Sequence, residues 1–179
     1  MAGEFSYIEA VLTSRNFRLR PMQEPDWPQV CRIYEEGIAT RNATFETKPP
    51  IWDQWDESHI AACRFVAIDE SEAVIGWGAV STVSSRAVYR GVCEVSVYIA
   101  ESARGIGVGR ALLQRLIAAS EEQGFWTIQA GIFPENHASV SLHESCGFRI
   151  LGRHERIASH FGEWRDTLLL ERRSKVVGL

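Results

Sequence analysis

The chain has 179 residues, of which 45% are hydrophobic and 23% are charged, and this length and composition suit one domain with a buried core. Its formal net charge is -4 at pH 7 and its arginines are scattered, so no basic surface for nucleic acid is expected. The apolar runs are too short to cross a bilayer, and the chain start lacks the pattern of a secretory signal. We therefore expect a cytoplasmic protein with neither nucleic acid nor membrane as a partner.

The cysteines and most of the histidines do not indicate a metal site. The cysteines show neither CxxC nor Cys/His zinc spacing, and the histidines outside the motifs described below lack ligand spacing with Asp or Cys. We expect no catalytic metal, reduced and partly buried thiols, and surface histidines. The residues concerned are Cys31, Cys63, Cys93, Cys146, His59, His137, His154 and His160.

The chain is expected to form one domain at residues 17–172, with an extension at residues 1–16 and a tail at residues 173–179. The domain should begin with a short strand that Pro21 stops, followed by a helix at residues 27–39 for which Asp26 is a candidate cap. Residues 41–50 are mostly polar and end in two prolines, which predicts an exposed loop.

Apolar and amphipathic runs predict the remaining elements. The order of these elements predicts an α+β fold, in which a mixed central sheet of about seven strands has helices on both faces. Helices are predicted at residues 52–62, 111–123 and 138–146. Strands are predicted at residues 17–20, 65–68, 73–83, 93–99, 126–132, 149–156 and 164–171.

The segment RGIGVGR at residues 104–110 places three glycines between a strand and a helix. Glycine permits a tight turn and close approach of a ligand to backbone N–H groups. The helix start adds further donors and the positive end of the peptide dipole, so the loop suits a phosphate or pyrophosphate. The segment is neither a Walker loop nor a GxGxxG dinucleotide motif, and taken alone it also fits a strand-to-helix corner that binds nothing.

Three segments taken together are more specific: EVSVYIAESARGIGVGRALL, GIFPENHASVSLHESCGF and GEWRDTLLLER. They resemble the GNAT superfamily, and more narrowly the phosphinothricin and methionine sulfoximine acetyltransferases, whose pattern is N-x-x-S, L-H-E, G-F and W-x-D. The resemblance implies a GNAT acyl-CoA N-acyltransferase fold with acetyl-CoA as cosubstrate. It also implies direct transfer of the acetyl group, in a ternary complex, to the amine of a small L-amino acid or analogue. By the same analogy the protein would be a homodimer.

The resemblance assigns the cosubstrate contacts as well. In the family, the strand before the glycine loop splays from its neighbour, and the pantetheine arm pairs with it as an added strand would. Asn136 should bond the pantetheine, with Ser145 near it, although Asn136 also suits a helix cap. The other residues implied are Val97, Tyr98 and Ile99 for the arm, and Arg104, Gly105, Ile106, Gly107, Val108, Gly109 and Arg110 for the pyrophosphate.

Two titratable residues are candidates for proton transfer. Glu94 lies in the apolar strand CEVSVYI, where burial should raise its pKa, and the family has its catalytic glutamate at this position, so we assign it as general base. His143 stands where many GNAT enzymes carry a tyrosine that protonates the thiolate, and its imidazole can serve as acid or base. The structural alternatives are an exposed or paired strand carboxylate for Glu94 and a core or surface histidine for His143. The expected oxyanion site is a backbone N–H near Val97 or Tyr98.

The acceptor is expected to be bound through its carboxylate by an arginine of the stretch SSRAVYRGVCE, as in the family. Arg86 is our choice for a bidentate partner, and Arg90 competes with it. Phe45, in a segment that resembles the family's first substrate loop, would contact the apolar part of the acceptor. The stretch differs from the tryptophan-arginine version of many relatives, which leaves the acceptor open among phosphinothricin, sulfones, sulfoximines and ordinary amino acids. The remaining residues of this site would be Ala87, Val88 and Tyr89.

Two other functions fit parts of the sequence. One is a GNAT enzyme that acts on a polyamine, a lysine or a protein N-terminus, and the carboxylates of Asp53, Asp56 and Glu57 would suit a polyamine. The other is a non-catalytic acyl-CoA-binding sensor, and the presence of both Glu94 and His143 argues against it.

Overall fold

The computed structural model describes residues 16–179, so the predicted N-terminal extension lies outside the described residues up to residue 15. The strands are β1 (Phe17–Pro21), β2 (Arg64–Asp69), β3 (Val74–Thr82), β4 (Val92–Ile99), β5 (Thr127–Ile132), β6 (Arg149–His160) and β7 (Glu163–Arg173). The α-helices are α1 (Trp27–Ala39), α2 (Trp52–Ser58), α3 (Val108–Glu122) and α4 (His137–Ser145).

The strands form one seven-stranded sheet in the order β1-β2-β3-β4-β5-β7-β6. Neighbouring strands are antiparallel except for β4 and β5, which are parallel. The sheet is therefore mixed, and the predicted fold is confirmed. After α4 the chain enters the outermost strand β6 and then returns, so that β7 inserts between β5 and β6 and brings the last strand beside the centre of the sheet.

Helices cover both faces of the sheet, and successive residues of β3 point alternately toward α1 and toward α3. Trp77 faces α1, where its ring centroid lies 5.4 Å from that of Tyr34. Gly76 and Gly78 face α3, and a Cβ atom on Gly78 would lie only 2.6 Å from Leu116 Cδ1. Because successive side chains of a strand point to opposite faces, the run Gly-Trp-Gly lets α3 approach closely while a large ring fills the other side.

The helix predicted over residues 52–62 is shorter in the structure. It ends at Ser58 because His59 adopts an extended backbone, with φ -120° and ψ 149°. The Ser58 hydroxyl donates to the Trp55 carbonyl at 2.9 Å, and His59 Nδ1 lies 2.8 Å from the same oxygen. These side-chain contacts satisfy a carbonyl of the last turn and so stop the helix.

Asp26 precedes α1 as predicted, but its side chain does not cap the helix. Instead its carboxylate accepts hydrogen bonds from both Nη atoms of Arg20 at 2.7 Å and from the Gln23 amide at 2.8 Å. Burial by itself would raise the pKa of Asp26, but the hydrogen bonds from Arg20 and Gln23 outweigh it and lower the pKa. The ion pair ties β1 to the start of α1.

The last two strands are longer than predicted. β6 continues to His160 rather than to residue 156, and β7 reaches Arg173, one residue past the predicted end of the domain. The pairing of β6 with β7 is irregular between His154 and Ala158, where Arg156 has a φ of 46°. Nearly all of β6 is exposed, so it lacks the alternation of apolar and polar residues from which strand length is usually inferred.

Candidate active site

A central cavity of about 520 Å³ opens between the split strands of the sheet and the loop that joins α1 to α2. We call residues 40–51 the α1–α2 loop. Its residues Ala43, Thr44 and Phe45 form one wall of the cavity, and the other walls come from the strands. Val83, directly after β3, also lines it, and the strand residues in the lining are Thr82, Glu94, Val95, Ser96, Tyr98, Gln129, Gly131, His154, Ile157, Thr167, Leu168 and Leu169.

The cavity lies where β4 and β5 separate. The two strands pair only from Val92 opposite Thr127 to Glu94 opposite Gln129. On its other side β4 stays paired with β3 as far as Ile99. Within the described residues, the edge of β4 after Glu94 therefore has no strand partner on the β5 side, and an extended ligand can pair with it as an added strand would.

Glu94 is the last β4 residue paired with β5, and its carboxylate faces the cavity. Gly131 of β5 lies near this carboxylate, and a Cβ atom there would be at ordinary van der Waals distance, 3.5 Å, from Glu94 Oε1. The Glu94 side chain keeps accessible surface, which opens into the cavity. The surrounding protein atoms still desolvate the carboxylate and so raise the pKa of Glu94, and the Gly131 backbone amide offsets only part of this effect.

Tyr98 forms a second polar element of the cavity wall. Its ring is stacked on Trp77 with centroids 4.6 Å apart, and it lies 4.8 Å from the ring of Tyr34. Burial raises the pKa of Tyr98, so its hydroxyl stays neutral, and it interacts with the Thr44 hydroxyl from the α1–α2 loop. The ring needs the glycine in α1, because a Cβ atom on Gly37 would lie 2.8 Å from Tyr98 Cδ1.

The glycine loop, residues 104–110, adopts the geometry that the sequence suggested. Gly105 and Gly107 have φ values of 80° and 91°, which residues with side chains rarely adopt. Gly107 is the N-cap of α3, and the first turn of a helix presents N–H groups that have no partner within the helix. A Cβ atom on Gly105 would meet nothing within 4 Å. The loop is thus an open, N–H-rich corner that suits a diphosphate.

Arg104 and Arg110 flank this corner with exposed side chains, and Ile106 is exposed between them. Val108 points inward and is buried in the core. Gly109 packs against α4, where a Cβ atom would lie 3.1 Å from Leu142 Cδ2. Two charged groups therefore remain available for an anionic ligand, while the rest of the loop anchors α3 to its surroundings.

Asn136 is held by two hydrogen bonds within the protein. Its Oδ1 accepts from the Ser139 amide at 3.2 Å, so it caps α4, and its Nδ2 donates to the Asn42 carbonyl at 3.0 Å. The cap that its residue type allows is therefore present, together with a contact to the α1–α2 loop that the sequence did not suggest. Ser145, at the end of α4, is exposed and donates to the Leu142 carbonyl at 2.6 Å.

His143 is buried in α4, with an exposed fraction of 4%, and lies outside the cavity lining. Its Nδ1 lies 2.8 Å from the Ser139 carbonyl oxygen, which can only accept, so Nδ1 carries the proton. Nε2 has no hydrogen-bond partner among the residues that the structure describes. Burial lowers the pKa of His143, and the Ser139 contact counters this only in part. The imidazole is thus a neutral, buried hydrogen-bond acceptor.

The segment chosen for acceptor binding lies apart from the cavity. Ala87–Tyr89 form a short 3-10 turn, and all of residues 86–90 are exposed. The Arg86 guanidinium lies over the Tyr89 ring at 5.6 Å, and that of Arg90 lies over Trp126 at 5.4 Å. The structure does bring Phe45 to the cavity with Glu94, but it does not bring Arg86, Ala87, Val88 or Tyr89 there.

Several lining residues were missed because they come from β6 and β7. His154 is exposed, as predicted, but it also lines the same cavity as Glu94, together with Ile157, Thr167 and Leu169. The same prediction is wrong for His160, which is buried at the end of β6. No spacing in the sequence links these lining residues to Glu94. They reach the cavity because β7 inserts next to β5. The W-x-D pattern, at residues 164–166, indicated the family but not the position of this strand in the sheet.

The described residues contain neither a metal-binding cluster nor a membrane-spanning helix. No group of three or more His, Cys, Asp or Glu side chains there is arranged to hold a metal ion. Each helix between residues 16 and 179 is too short or too polar to span a lipid bilayer.

Comparison with known proteins gives concordant matches. Residues 23–148 match the acetyltransferase (GNAT) family. The chain is 32% identical over 164 residues to the phosphinothricin N-acetyltransferase of Alcaligenes faecalis, a match that covers 86% of this chain and 81% of that protein. It is 30% identical over 151 residues to the L-methionine sulfoximine/L-methionine sulfone acetyltransferase of Pseudomonas paraeruginosa, with 82% and 88% covered. The fold matches the crystal structure of a GNAT superfamily phosphinothricin acetyltransferase from Sinorhizobium meliloti in complex with acetyl-CoA, with a TM-score of 0.81, 30% identity and 91% of each chain covered.

Proposed function

Because this chain belongs to the acetyltransferase (GNAT) family and is an acetyl-CoA-dependent N-acetyltransferase, we propose that it acetylates the amine of a small L-amino acid or analogue, of the phosphinothricin, methionine sulfoximine or sulfone type. The observation that carries the proposal is the cavity of about 520 Å³ with the Glu94 carboxylate at the point where β4 and β5 separate. A cavity of this size matches small-molecule sites rather than an extended groove for a protein.

The residues present fit acetyl-CoA, which supplies an acetyl group activated as a thioester. We propose that the N–H groups and arginines of the glycine loop hold its diphosphate, since that loop combines a left-handed glycine N-cap with a helix start. The edge of β4 at Val97, Tyr98 and Ile99 would hold the pantetheine arm, because that edge lacks a β5 partner in the described part of the chain. Asn136 and Ser145 lie at the two ends of α4, the helix that packs against Gly109 of the glycine loop.

Glu94 serves in this proposal as the general base. An amine must lose a proton to become a nucleophile, and a carboxylate with a raised pKa is better matched to that task than an ordinary one. The proton passes to Glu94 directly or through a water molecule in the cavity. With both substrates bound together, the neutral amine attacks the thioester carbonyl carbon directly, so no covalent enzyme intermediate is needed. The N–C bond forms as the C–S bond breaks, and the departing CoA thiolate takes up the proton that the attacking nitrogen loses.

His143 is the second proton-handling group of the proposal. The family resemblance allowed it to act as acid or base, and the structure favours the second role. Its Nδ1 proton is engaged by the Ser139 carbonyl, and burial lowers its pKa, so at neutral pH the imidazole has an acceptor lone pair and no spare proton. In that state it cannot supply a proton to the thiolate, and it would act as a hydrogen-bond acceptor.

The acceptor's side chain would lie between Phe45, Ile157 and Leu168, and its polar groups would face Ser96, Gln129, His154 and Thr167. Arg86 stays our predicted carboxylate partner, with Arg90 as its competitor, although both lie outside this lining within one chain. The variants Arg86→Ala, Arg90→Ala and His154→Ala separate the possibilities. The variant that raises the acceptor KM most, with the KM for acetyl-CoA unchanged, identifies the group that binds the carboxylate.

The acceptor class is tested by measuring free thiol release from acetyl-CoA with a panel of amines. The panel contains L-methionine sulfoximine, phosphinothricin, L-methionine sulfone, ordinary L-amino acids, spermidine and a peptide, with an acceptor-free reaction as the baseline. We expect the highest kcat/KM for the sulfoximine, sulfone or phosphinothricin group. Turnover confined to spermidine or to the peptide would overturn the proposed acceptor.

We further propose that the protein is a homodimer that associates through β6 and the turn to β7. The apolar run of β7 at residues 167–170 does not suit an interface throughout, because Leu170 is fully buried in the core. β6 instead forms an open edge of the sheet, and exposed Ile150, Leu151 and Trp164 lie on this hairpin. Sedimentation equilibrium should give twice the chain mass, and Trp164→Glu should yield monomers. A monomeric wild type would refute the dimer.

A further inference from the structure

The α1–α2 loop must be held in place by contacts from elsewhere, because it contains no helix or strand of its own. Three of its residues nevertheless form a wall of the central cavity. Phe45 packs edge-on against Phe133 with ring centroids 4.7 Å apart and against His160 at 5.7 Å. The position of this wall therefore depends on side chains that are distant in the sequence.

Arg165 of β7 makes the most extensive of these contacts. Its Nη1 donates to the Arg41 carbonyl at 2.9 Å, and its Nη2 donates to Asn42 Oδ1 at 3.2 Å and to Glu135 Oε2 at 3.1 Å. The guanidinium also lies over the Phe133 ring at 4.2 Å. Only 17% of the Arg165 side chain is exposed, so these bonds are largely shielded from competing water.

The backbone of the loop is strained where Arg165 binds it. Arg41 has a φ of 54°, a left-handed conformation that disfavours residues with a side chain and persists only where surrounding contacts enforce it. The end of α1 contributes two bonds, from the Arg41 amide to the Ile38 carbonyl at 2.9 Å and from the Asn42 amide to Thr40 Oγ1 at 3.1 Å. The β6–β7 hairpin adds two contacts from outside the loop: the bond from Arg165 to the Arg41 carbonyl, and the Phe161 ring under the Arg41 guanidinium at 4.4 Å.

Asn136 adds a contact from the cosubstrate side. It donates to the carbonyl of Asn42, whose side chain accepts from Arg165. The first residues of the loop are thus fixed between α4 and β7, immediately before the residues that form the cavity wall.

We propose that Arg165 is a positioning residue that holds the α1–α2 loop in the conformation required for acceptor binding. This rests on the proposed function in so far as the cavity is the acceptor site. Without the guanidinium, the Arg41 carbonyl and Asn42 Oδ1 lose a charged donor, and the left-handed turn relaxes. Phe45 then leaves its place in the wall. The glycine loop does not contact Arg165, so its packing against α4 through Gly109 is kept.

Arg165→Met tests the proposal, because methionine keeps apolar contact with Phe133 and removes every hydrogen bond. Arg115→Met is the matched control: Arg115 also combines an ion pair, with Glu122, and a ring contact, over Phe65 at 4.5 Å, but it lies on α3. Steady-state kinetics are measured with the best acceptor of the panel. We expect Arg165→Met to raise the acceptor KM roughly tenfold, with the KM for acetyl-CoA and kcat within about twofold of wild type. The control should match wild type in all three.

Amide hydrogen exchange over residues 40–51, measured by mass spectrometry without substrates, provides a readout independent of activity. Exchange there should be at least roughly tenfold faster in Arg165→Met than in wild type and in Arg115→Met. Unchanged exchange in Arg165→Met overturns the inference, whether or not any acceptor is turned over. Absence of turnover with every acceptor refutes only the proposed function. Faster exchange with an unchanged acceptor KM also overturns it, because Arg165 would then be merely structural. Asn42→Ala should reproduce part of the KM effect and add little to it in the double variant.

Discussion

The glycine loop and the α1–α2 loop are the proposed contacts for the diphosphate and for the acceptor, and different interactions hold them. The glycine loop gets its shape from glycines with positive φ and from the start of α3, all within a few residues. The α1–α2 loop gets its shape from Arg165 and Asn136, which lie about a hundred residues further along the chain. In the proposed function, the diphosphate site is therefore encoded locally, whereas the acceptor site depends on the assembled sheet. Variants in the two loops should separate these properties.

Glu94 lies on β4 and belongs to neither loop. Its replacement should have the largest effect on turnover. In Glu94→Gln we expect kcat to fall by about a hundredfold or more, because the general base is lost, while the affinity for CoA stays the same. Stopped assays of thiol release and calorimetry with CoA measure the two quantities. An equal kcat in the variant would remove Glu94 from the mechanism.

The same carboxyl makes the reaction and the fold depend on pH. Since burial raises the pKa of Glu94, the rising limb of kcat/KM should lie at higher pH than for an ordinary carboxyl. The folded protein binds this proton more tightly than the unfolded chain does, so the group costs stability as pH rises through its raised pKa. Glu94→Gln should therefore raise Tm at pH 8, and the difference should vanish in acid.

Gly107→Leu should affect the cosubstrate alone. A leucine at a φ of 91° is strained by about 1–2 kcal/mol and places a side chain where the backbone must approach the diphosphate. We expect the Kd for CoA to rise at least roughly tenfold, with the acceptor KM little changed. Gly124→Leu is the matched control, since Gly124 has a φ of 83° and open space around it but lies beyond α3. Equal Kd values for the two variants would contradict the assigned diphosphate site.

Phe45→Ala should affect the acceptor alone and provides the counterpart to Gly107→Leu. Loss of the ring removes apolar contact with the acceptor and with Phe133, so the acceptor KM should rise by roughly tenfold. The Kd for CoA should remain within about twofold of wild type. If both constants rise together, the two loops are coupled and the separation drawn above is wrong.

The smallest effect is expected from the titration of His143. Burial lowers the pKa of this imidazole in the folded protein, so the unfolded chain binds the proton more readily, and stability is lost as pH falls below the ordinary histidine value. His143→Gln should therefore show a shallower loss of unfolding free energy between pH 7 and pH 5. Urea denaturation at several pH values measures this difference. Identical slopes would contradict the neutral, buried state of His143.

The sequence by itself determined the features that rest on neighbouring residues. The helix predicted at residues 27–39 is confirmed in both its ends, and the strand, glycine corner and helix around residues 92–122 are present in that order. Glu94 stands out in an apolar strand, and its raised pKa follows from that setting. Local backbone preference and side-chain periodicity act over a few residues, so a linear pattern is enough to reveal them.

Only the tertiary structure decided which distant residues complete the cavity. The position of β7 between β5 and β6 puts His154 and Thr167 beside Glu94, and it places Arg165 against the α1–α2 loop. It also leaves Arg86 exposed and outside the lining. Strand order is settled by the burial of whole sheet faces rather than by any short run of residues, and for that reason no spacing in the sequence could disclose these contacts.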